Sequence, residues 1–273
     1  MEGTFRREVV QGRGLLIYLP RSYGEEGRRY PVVYLQDEGS VMKQTANYLE
    51  HLFIAGELPE LIFVGIVSPD RNDEYTPWPS PAVVPGSPDF GGGGRGYLKE
   101  LVEIIKPYVD GQYATLPGSR DTGLIGCSLG GLISMFAYYL YPDTFGRIGL
   151  LSASFWYEGL LEFMRTCPAP PSGRKLYMYV GELEGFYKTN VQKQMVPKTL
   201  EAHRLLLEQG LCADELHFDR ERQGTHDSVF FSRQLPVALK WLFGADEQAL
   251  VGKSELISLP KTAIVRFKWK KET

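Results

Sequence analysis

The stretch that decides the fold is residues 122–131, TGLIGCSLGG. Thr122, Leu124 and Ile125 favour a buried strand, and apolar residues recur at helical spacing after the serine. A strand that breaks into Gly-x-Ser-x-Gly and then into a helix is typical of a nucleophile elbow, in which Ser128 occupies a sharp turn and exposes its hydroxyl. The flanking glycines have no Cβ to collide where the two elements approach closely. The same pattern also arises by chance, so its interpretation depends on the segments around it.

The composition favours one catalytic domain that acts on small molecules. The chain has 273 residues, 43% of them hydrophobic, which suffices for a single core over residues 1–273. A net charge of −3 gives no basic field, so we expect neither nucleic acid nor a membrane as a partner. The sequence does not indicate an oligomeric state.

The cysteines and the N-terminus favour a reducing compartment. Cys127, Cys167 and Cys212 are an odd number at unrelated spacings, which fits neither a disulfide framework nor a metal cluster. Residues 1–7 are charged and polar, and no apolar run approaches the roughly 20 residues that span a bilayer. The four histidines also lack metal-ligand spacing. We therefore expect a cytoplasmic protein without a metal or other cofactor.

Strand-like and helix-like segments alternate along the chain. Strands are expected at residues 15–19, 31–36, 61–67, 122–127, 147–152, 175–180 and 215–219. Helical periodicity is clearest at residues 44–55, 97–109, 129–141, 196–209 and 233–243. This alternation predicts an α/β fold, with a mostly parallel central sheet, helices on both faces and an antiparallel edge at the N-terminus. Ligands of such sheets bind beyond the carboxyl ends of the strands.

One connection, residues 68–96, shows no helical or strand period. It holds six prolines and six glycines, and loops of this length are usually functional or disordered. Its aromatic residues Tyr75, Trp78 and Phe90 argue against disorder, so we expect a semi-ordered wall of the active site. The run of glycines at residues 91–94 lacks the GK[ST] of a phosphate loop and is expected to form a flexible hinge.

A nucleophilic serine needs a histidine that takes its proton. His51 and His203 lie inside predicted helices, and His217 lies within a predicted strand. His226 instead follows the last strand in a loop just before the last helix, where a loop tip can reach Ser128. His226 is therefore the predicted general base.

The histidine in turn needs a carboxylate that orients it, placed between serine and histidine if the order is Ser…Asp/Glu…His. The strand at residues 175–180 ends in Gly-Glu-Leu-Glu-Gly, which puts two carboxylates just beyond it. Glu184 is the predicted acid and Glu182 is the alternative.

Acyl transfer also needs amide donors for the oxyanion. One is the N–H of Leu129, the residue after the nucleophile, at the positive end of a helix. The other is expected from the loop after the early strand, where either Glu38 or Gly39 could supply it.

Four stretches carry a resemblance to a known family. They are VVYLQD at residues 32–37, DRNDEYTP at 70–77, the block from GCSLGG at 126–131 through YPDTF at 141–145 to SASFW at 152–156, and GTH at 224–226 with WL at 241–242. With these stretches the chain resembles the Putative esterase family of α/β hydrolases, which includes enterochelin esterases, bacillibactin trilactone hydrolases, S-formylglutathione hydrolases and antigen 85 mycolyltransferases. It looks closest to the enterochelin esterase-like branch.

The resemblance implies an α/β-hydrolase fold and a set of site residues. It makes Ser128 the nucleophile, His226 the base, and the carboxylate of the Gly-x-x-Glu loop, Glu184, the acid. It also places the second oxyanion amide two residues past Asp37, at Gly39. The usual Asp-Gly after the early strand is Asp-Glu here.

We therefore expect a serine esterase whose small-molecule substrate is either a siderophore trilactone or a short-chain acyl ester. A catecholate trilactone is anionic and aromatic, and Arg71, Tyr75, Trp78 and Trp156 are candidate substrate contacts, although aromatic residues near strand ends more often serve packing. Two rivals remain: an acyltransferase with the same nucleophile and base, and a binding protein that retains the fold without activity.

Overall fold

The computed structural model describes residues 2–244, so the predicted domain of residues 1–273 extends beyond the described part of the chain. The described residues form an eight-stranded sheet in the order β1-β2-β4-β3-β5-β6-β7-β8. The strands are β1 (Thr4–Val10), β2 (Arg13–Leu19), β3 (Val32–Leu35), β4 (Ile62–Ile66), β5 (Thr122–Cys127), β6 (Arg147–Leu151), β7 (Lys175–Gly181) and β8 (Leu216–Glu221).

The sheet is parallel from β4 to β8, and the hairpin β1–β2 joins it antiparallel at the β4 edge. The predicted α/β fold with a mostly parallel sheet and an antiparallel N-terminal edge is therefore confirmed. β1 was not predicted, because its sequence TFRREVV carries three charged side chains and most of its residues remain exposed. An edge strand of this kind is defined by pairing with β2 rather than by its own hydrophobic pattern.

Helices cover both faces of the sheet. They are α1 (Ser40–Ile54), α2 (Arg71–Glu74), α3 (Gly94–Glu100), α4 (Lys106–Gln112), α5 (Leu129–Leu140), α6 (Leu160–Thr166), α7 (Met195–Glu208) and α8 (Ser228–Phe243). Alternation along β3 divides the core, since Val32 and Tyr34 pack with α3 to α7 while Val33 and Leu35 pack with α1 and α8. Every one of these four strand residues is almost fully buried.

The helix predicted at residues 97–109 is interrupted. α3 and α4 are separated by a π-helical turn, Leu101–Ile105, and Pro107 lies in the first turn of α4. Proline lacks the N–H that would continue the hydrogen-bond ladder of α3, so the ladder must change there. The apolar period runs through the interruption, which is why the sequence indicates a single helix.

The segment at residues 68–96 is ordered by many contacts. Arg13 anchors its start through hydrogen bonds to Glu74 at 2.8 Å and to the carbonyl of Val67 at 3.0 Å. A bridge between Ser80 and Phe90 then closes the segment into a compact loop.

The prediction of a flexible hinge at residues 91–94 is wrong. A Cβ on Gly92 would lie 2.3 Å from the backbone of Trp78 and Pro79, and the amide of Gly93 donates to Asp73 at 3.0 Å. These glycines permit close packing of one part of the loop on another, whereas a hinge would need open space around them.

Candidate active site

The carboxyl ends of the parallel strands bring the predicted site residues to one edge of the sheet. Ser128 follows β5, Glu184 lies in the turn after β7, and His226 lies in the loop between β8 and α8. The loop after β3 and the turn after β6 border the same edge. This is the edge at which ligands of parallel α/β sheets bind.

Ser128 occupies a strained turn between β5 and α5, with φ 56° and ψ −118°. The turn is tight, because a Cβ on Gly126 would lie 2.2 Å from the carbonyl oxygen of Gly130. Gly130 in turn lies against Gln36, where a Cβ would come within 2.9 Å. The predicted role of the two flanking glycines therefore has a direct steric cause, and a strained residue of this kind is common in active sites.

The hydroxyl of Ser128 lies 3.4 Å from that of Ser154. Within residues 2–244, no hydrogen bond joins Ser128 to His226 in this state. Catalytic contacts of this type are often long without substrate and shorten when it binds. Burial raises the pKa of the neighbouring Cys127 thiol, which disfavours the reactive thiolate.

Glu184 and His226 are in direct contact. The Nδ1 atom of His226 lies 2.6 Å from Oε2 of Glu184, and the carboxylate side chain is fully buried. With Nδ1 held by the carboxylate, Nε2 is the nitrogen left to face a substrate. A buried carboxylate that fixes one ring nitrogen is the arrangement that orients a general base.

The second oxygen of Glu184 is held by residues that the sequence analysis did not identify. Oε1 accepts a hydrogen bond of 2.5 Å from the hydroxyl of Ser152 and one of 2.8 Å from the amide of Gly181. Ser152 is fully buried and has a positive φ of 53°, which aims its side chain at the carboxylate. Its place directly after β6 was the only sequence signal for this role.

The alternative acid, Glu182, lies elsewhere. Its carboxylate forms a partly exposed ion pair with Arg220 at 2.8 Å. The other three histidines have other aromatic partners: His51 stacks on Tyr48, His217 stacks on Tyr177, and His203 packs against Phe218. Geometry thus pairs His226 with Glu184 alone among these candidates.

The loop after β3 carries the second candidate oxyanion donor. The N–H of Gly39 donates to the carbonyl of Gln36 at 3.1 Å, so it is already engaged within the loop. Within the described chain, the N–H groups of Glu38 and Leu129 have no acceptor. This favours Glu38, the alternative, over Gly39.

Three consecutive residues of this loop have positive φ, including the non-glycine Asp37 at 54° and Glu38 at 56°. The conformation is supported from outside: the amide of Asp37 donates to the hydroxyl of Tyr75 at 2.9 Å. Hydrogen bonds from Lys43 and Arg7 hold the Glu38 side chain and lower the pKa of its carboxyl. The strain of the loop is thus offset by contacts with α1, β1 and the residue that follows α2.

A cavity of about 220 Å³ opens beside Ser128. Two predicted substrate residues, Arg71 and Trp156, line it together with Leu129 and Phe90. Arg71 is ion-paired with Asp37 at 3.0 Å and keeps 41% of its side chain exposed, so its guanidinium retains donors for a ligand.

Tyr75 and Trp78 do not line this cavity, which corrects their prediction as substrate contacts. Tyr75 is fully buried, and its hydroxyl supports the loop after β3. Trp78 packs against Phe136 and Phe163 and donates its indole N–H to the carbonyl of Glu158 at 2.8 Å. Both aromatic rings are used for packing.

A second cavity of about 340 Å³ lies beside His226. It is lined by Glu184, His226 and the loop that follows Glu184, including Phe186 and Tyr187. These two rings are 70% and 87% exposed. Gln192 lines both this cavity and the one beside Ser128.

A wider depression of about 880 Å³ lies between α1 and the N-terminal hairpin, and none of the predicted site residues lines it. In residues 2–244 no group of three or more His, Cys, Asp or Glu side chains is placed to hold a metal ion. No helix of the same region is long and apolar enough to cross a membrane.

Comparison with known sequences identifies one family, and two of the matching relatives are informative. The family model described as Putative esterase matches residues 8–242. The uncharacterized protein YbbA of Bacillus subtilis (strain 168) is 36% identical over 250 residues, which are 92% of this chain and 100% of that protein. The siderophore enterobactin esterase of Emericella nidulans is 28% identical over 99 residues, which are 34% of this chain and 33% of that protein.

Solved structures show the same fold. The IroE-like serine hydrolase of Shewanella oneidensis has a TM-score of 0.77 at 22% identity, over 92% of this chain and 85% of that one. The siderophore hydrolase EstA of Aspergillus nidulans has a TM-score of 0.69 at 19% identity, over 93% and 95%. The enterobactin esterase FES of Shigella flexneri has a TM-score of 0.70 at 18% identity, over 92% and 60%.

Proposed function

Because this chain belongs to the Putative esterase family and is an ester hydrolase, we propose that it works through an acyl-enzyme formed on Ser128. The observation that carries the proposal is the 2.6 Å contact between His226 and the buried Glu184, at the same sheet edge as the strained serine. A histidine oriented in this way and a serine exposed at an elbow are the two groups that nucleophilic ester cleavage requires.

In the proposed mechanism, Nε2 of His226 takes the proton of the Ser128 hydroxyl as its oxygen attacks the ester carbonyl. The amide groups of Leu129 and Glu38 donate hydrogen bonds to the oxyanion that forms. The proton then passes from His226 to the leaving alcohol oxygen, the ester C–O bond breaks, and the acyl group remains on Ser128. Water, deprotonated by His226, hydrolyses the acyl-enzyme in the second half of the reaction.

Glu184 is proposed to act through the histidine. It fixes the tautomer with the proton on Nδ1 and stabilises the imidazolium that forms transiently. Hydrogen bonds from Ser152 and Gly181 to its other oxygen hold the carboxylate in place. Removal of the carboxylate should therefore lower kcat without abolishing binding.

We propose siderophore trilactones as the substrate class, with short-chain acyl esters as the second candidate. The cavity beside Ser128 supports the first class, because Arg71 offers a cation and Trp156 an aromatic side chain to an anionic aromatic group. Turnover of an enterobactin-like trilactone compared with p-nitrophenyl butyrate separates the two. Hydrolysis of the butyrate without any cleavage of the trilactone would leave only the second class.

The mechanism is tested with two matched pairs of measurements. Ser128→Ala should abolish hydrolysis and prevent labelling by a fluorophosphonate probe, whereas near-normal turnover would overturn the mechanism. Glu184→Gln should lower kcat by roughly two to four orders of magnitude. Its control, Glu182→Gln, removes only the surface ion pair with Arg220 and should leave kcat close to the wild-type value.

A further inference from the structure

The loop after Glu184 presents two aromatic rings that the proposed mechanism does not use. Phe186 and Tyr187 contact each other edge to face, with ring centroids 4.9 Å apart, and both are largely exposed. A single exposed apolar side chain is ordinary on a protein surface. Two adjacent exposed rings that line the same cavity as the proposed general base are instead typical of a ligand-binding surface.

The loop that carries the rings is held in place by its backbone. The amide of Leu183 donates to the carbonyl of Gly224 at 3.0 Å, and that of Lys188 donates to Gly185 at 3.0 Å. Gly185 has φ 76°, and a Cβ on it would lie 2.3 Å from the carbonyl oxygen of Gln192. The exposure of the rings is therefore set by a fixed turn.

The position of His226 decides which part of an ester would occupy this cavity. Its Nδ1 is bound to Glu184, so the proton that it takes from Ser128 leaves through Nε2 to the oxygen of the departing alcohol. The alcohol half must therefore lie on the His226 side. The acyl half stays bonded to Ser128 and lies in the cavity with Arg71 and Trp156.

We infer that the 340 Å³ cavity is the site for the alcohol half of the substrate, and that Phe186 and Tyr187 select esters whose alcohol carries an aromatic ring. This inference rests on the proposed function. Gln192 lines both cavities, and the side chain of Asn190, two residues before it, donates at 3.5 Å to the carbonyl of Val83, which lines the cavity beside Ser128. One substrate can thus span them with its ester at Ser128.

The experiment compares two esters of one acid, benzyl butyrate and methyl butyrate. Both form the same butyryl-enzyme, so a difference in kcat/KM reports binding and acylation, up to the departure of the alcohol, and not the shared deacylation. In Phe186→Ser/Tyr187→Ser the benzyl-to-methyl ratio of kcat/KM should fall about tenfold, because stacking and apolar burial of the benzyl ring are lost. The ratio for methyl phenylacetate over methyl butyrate, which varies the acyl half, should stay at its wild-type value.

The matched control is Tyr48→Ser, which removes an exposed tyrosine on α1 and should leave both ratios unchanged. The inference is overturned if the double variant keeps its benzyl-to-methyl ratio, or if the phenylacetate ratio falls to the same extent. Those results leave the proposed function intact as long as Ser128→Ala is inactive. Turnover that persists in Ser128→Ala overturns the proposed function itself.

Discussion

The segment at residues 68–96 and the loop at residues 183–191 both border the candidate active site, and they use aromatic side chains in opposite ways. In the long segment Tyr75 is fully buried and Trp78 packs against α5 and α6. In the short loop Phe186 and Tyr187 contact mainly each other and solvent. The aromatic content of a loop therefore does not indicate a binding surface until the packing of each ring is known.

The two segments use their aromatic side chains differently because they depend on different contacts for their order. A connection of this length, with only the short helix α2 and one isolated bridge between its ends, needs its own buried contacts to offset the entropy of ordering it. The loop after β7 is short and is already fixed by backbone hydrogen bonds, so its side chains are free. Substitutions in the long segment should chiefly change stability, and substitutions in the short loop should chiefly change activity.

Arg13→Met should give the largest loss of stability among the substitutions that test this contrast between the two segments. Arg13 is 91% buried and pairs with Glu74 and Glu100, both at 2.8 Å or less. Its loss leaves two carboxylates without their cation, Glu74 in the long segment and Glu100 in the helix that follows it, so the free energy of unfolding should fall by about 3–5 kcal/mol. Urea denaturation measures this. Arg21→Met, which removes an exposed pair with Glu2, should cost less than about 1 kcal/mol, and an equal loss in both variants would contradict the prediction.

Trp78→Ala should lower the free energy of unfolding by about 2–3 kcal/mol, less than a fully buried tryptophan because the ring is half-buried. The loss comes from its contacts with Phe136 and Phe163 and from the unpaired carbonyl of Glu158. The selectivity between butyrate esters should not change in this variant. A changed selectivity with unchanged stability would return Trp78 to the list of substrate contacts.

Gly92→Ala should destabilise the protein by about 2 kcal/mol, because its φ of 80° is unfavourable for alanine and the added Cβ meets backbone. Gly86→Ala is the matched control, with φ 81° and nothing within 4 Å of the added Cβ. It should cost only about 1 kcal/mol. Thermal unfolding of the two variants isolates the steric part, and equal melting temperatures would restore the hinge interpretation.

Tyr187→Ser, in the short loop, should give the smallest change in stability. Since 87% of this residue is exposed, its replacement should change the free energy of unfolding by less than about 0.5 kcal/mol. Denaturation in urea checks this alongside Trp78→Ala. A loss as large as that of Trp78→Ala would show that the ring packs in solution and would remove the contrast between the two segments.

The sequence was sufficient for the parts of the fold that depend on local pattern. Residues 122–127 form β5 with the predicted bounds, and the helix after Ser128 ends within one residue of its predicted end. In contrast, β1 depends on pairing with β2, and the break between α3 and α4 depends on a proline within an uninterrupted apolar period. Hydrophobic periodicity therefore reveals neither the pairing of β1 with β2 nor the break between α3 and α4.

Some features of the candidate site could also be predicted from the sequence, and others could not. The order of Ser128, Glu184 and His226 could be inferred because each follows a strand whose end the sequence marks. The support of Glu184 by Ser152 could not, since it joins residues that are 32 positions apart and follow the neighbouring strands β6 and β7. The choice between Glu38 and Gly39 likewise depends on where a single N–H points, which residue types do not determine.

We expect the attachment of Glu38 to make catalysis sensitive to ionic strength, because its loop carries a proposed oxyanion donor. Its carboxylate pairs with Arg7 at 2.6 Å and with Lys43 at 3.0 Å, and both cations are well exposed. Salt screens exposed pairs of this kind, while the buried contact between Glu184 and His226 is protected from it. Added sodium chloride should therefore lower kcat modestly by loosening the loop after β3, and Glu38→Gln should remove that dependence. The salt concentration around the enzyme would then affect, through the single carboxylate of Glu38, how strongly the transition state is stabilised.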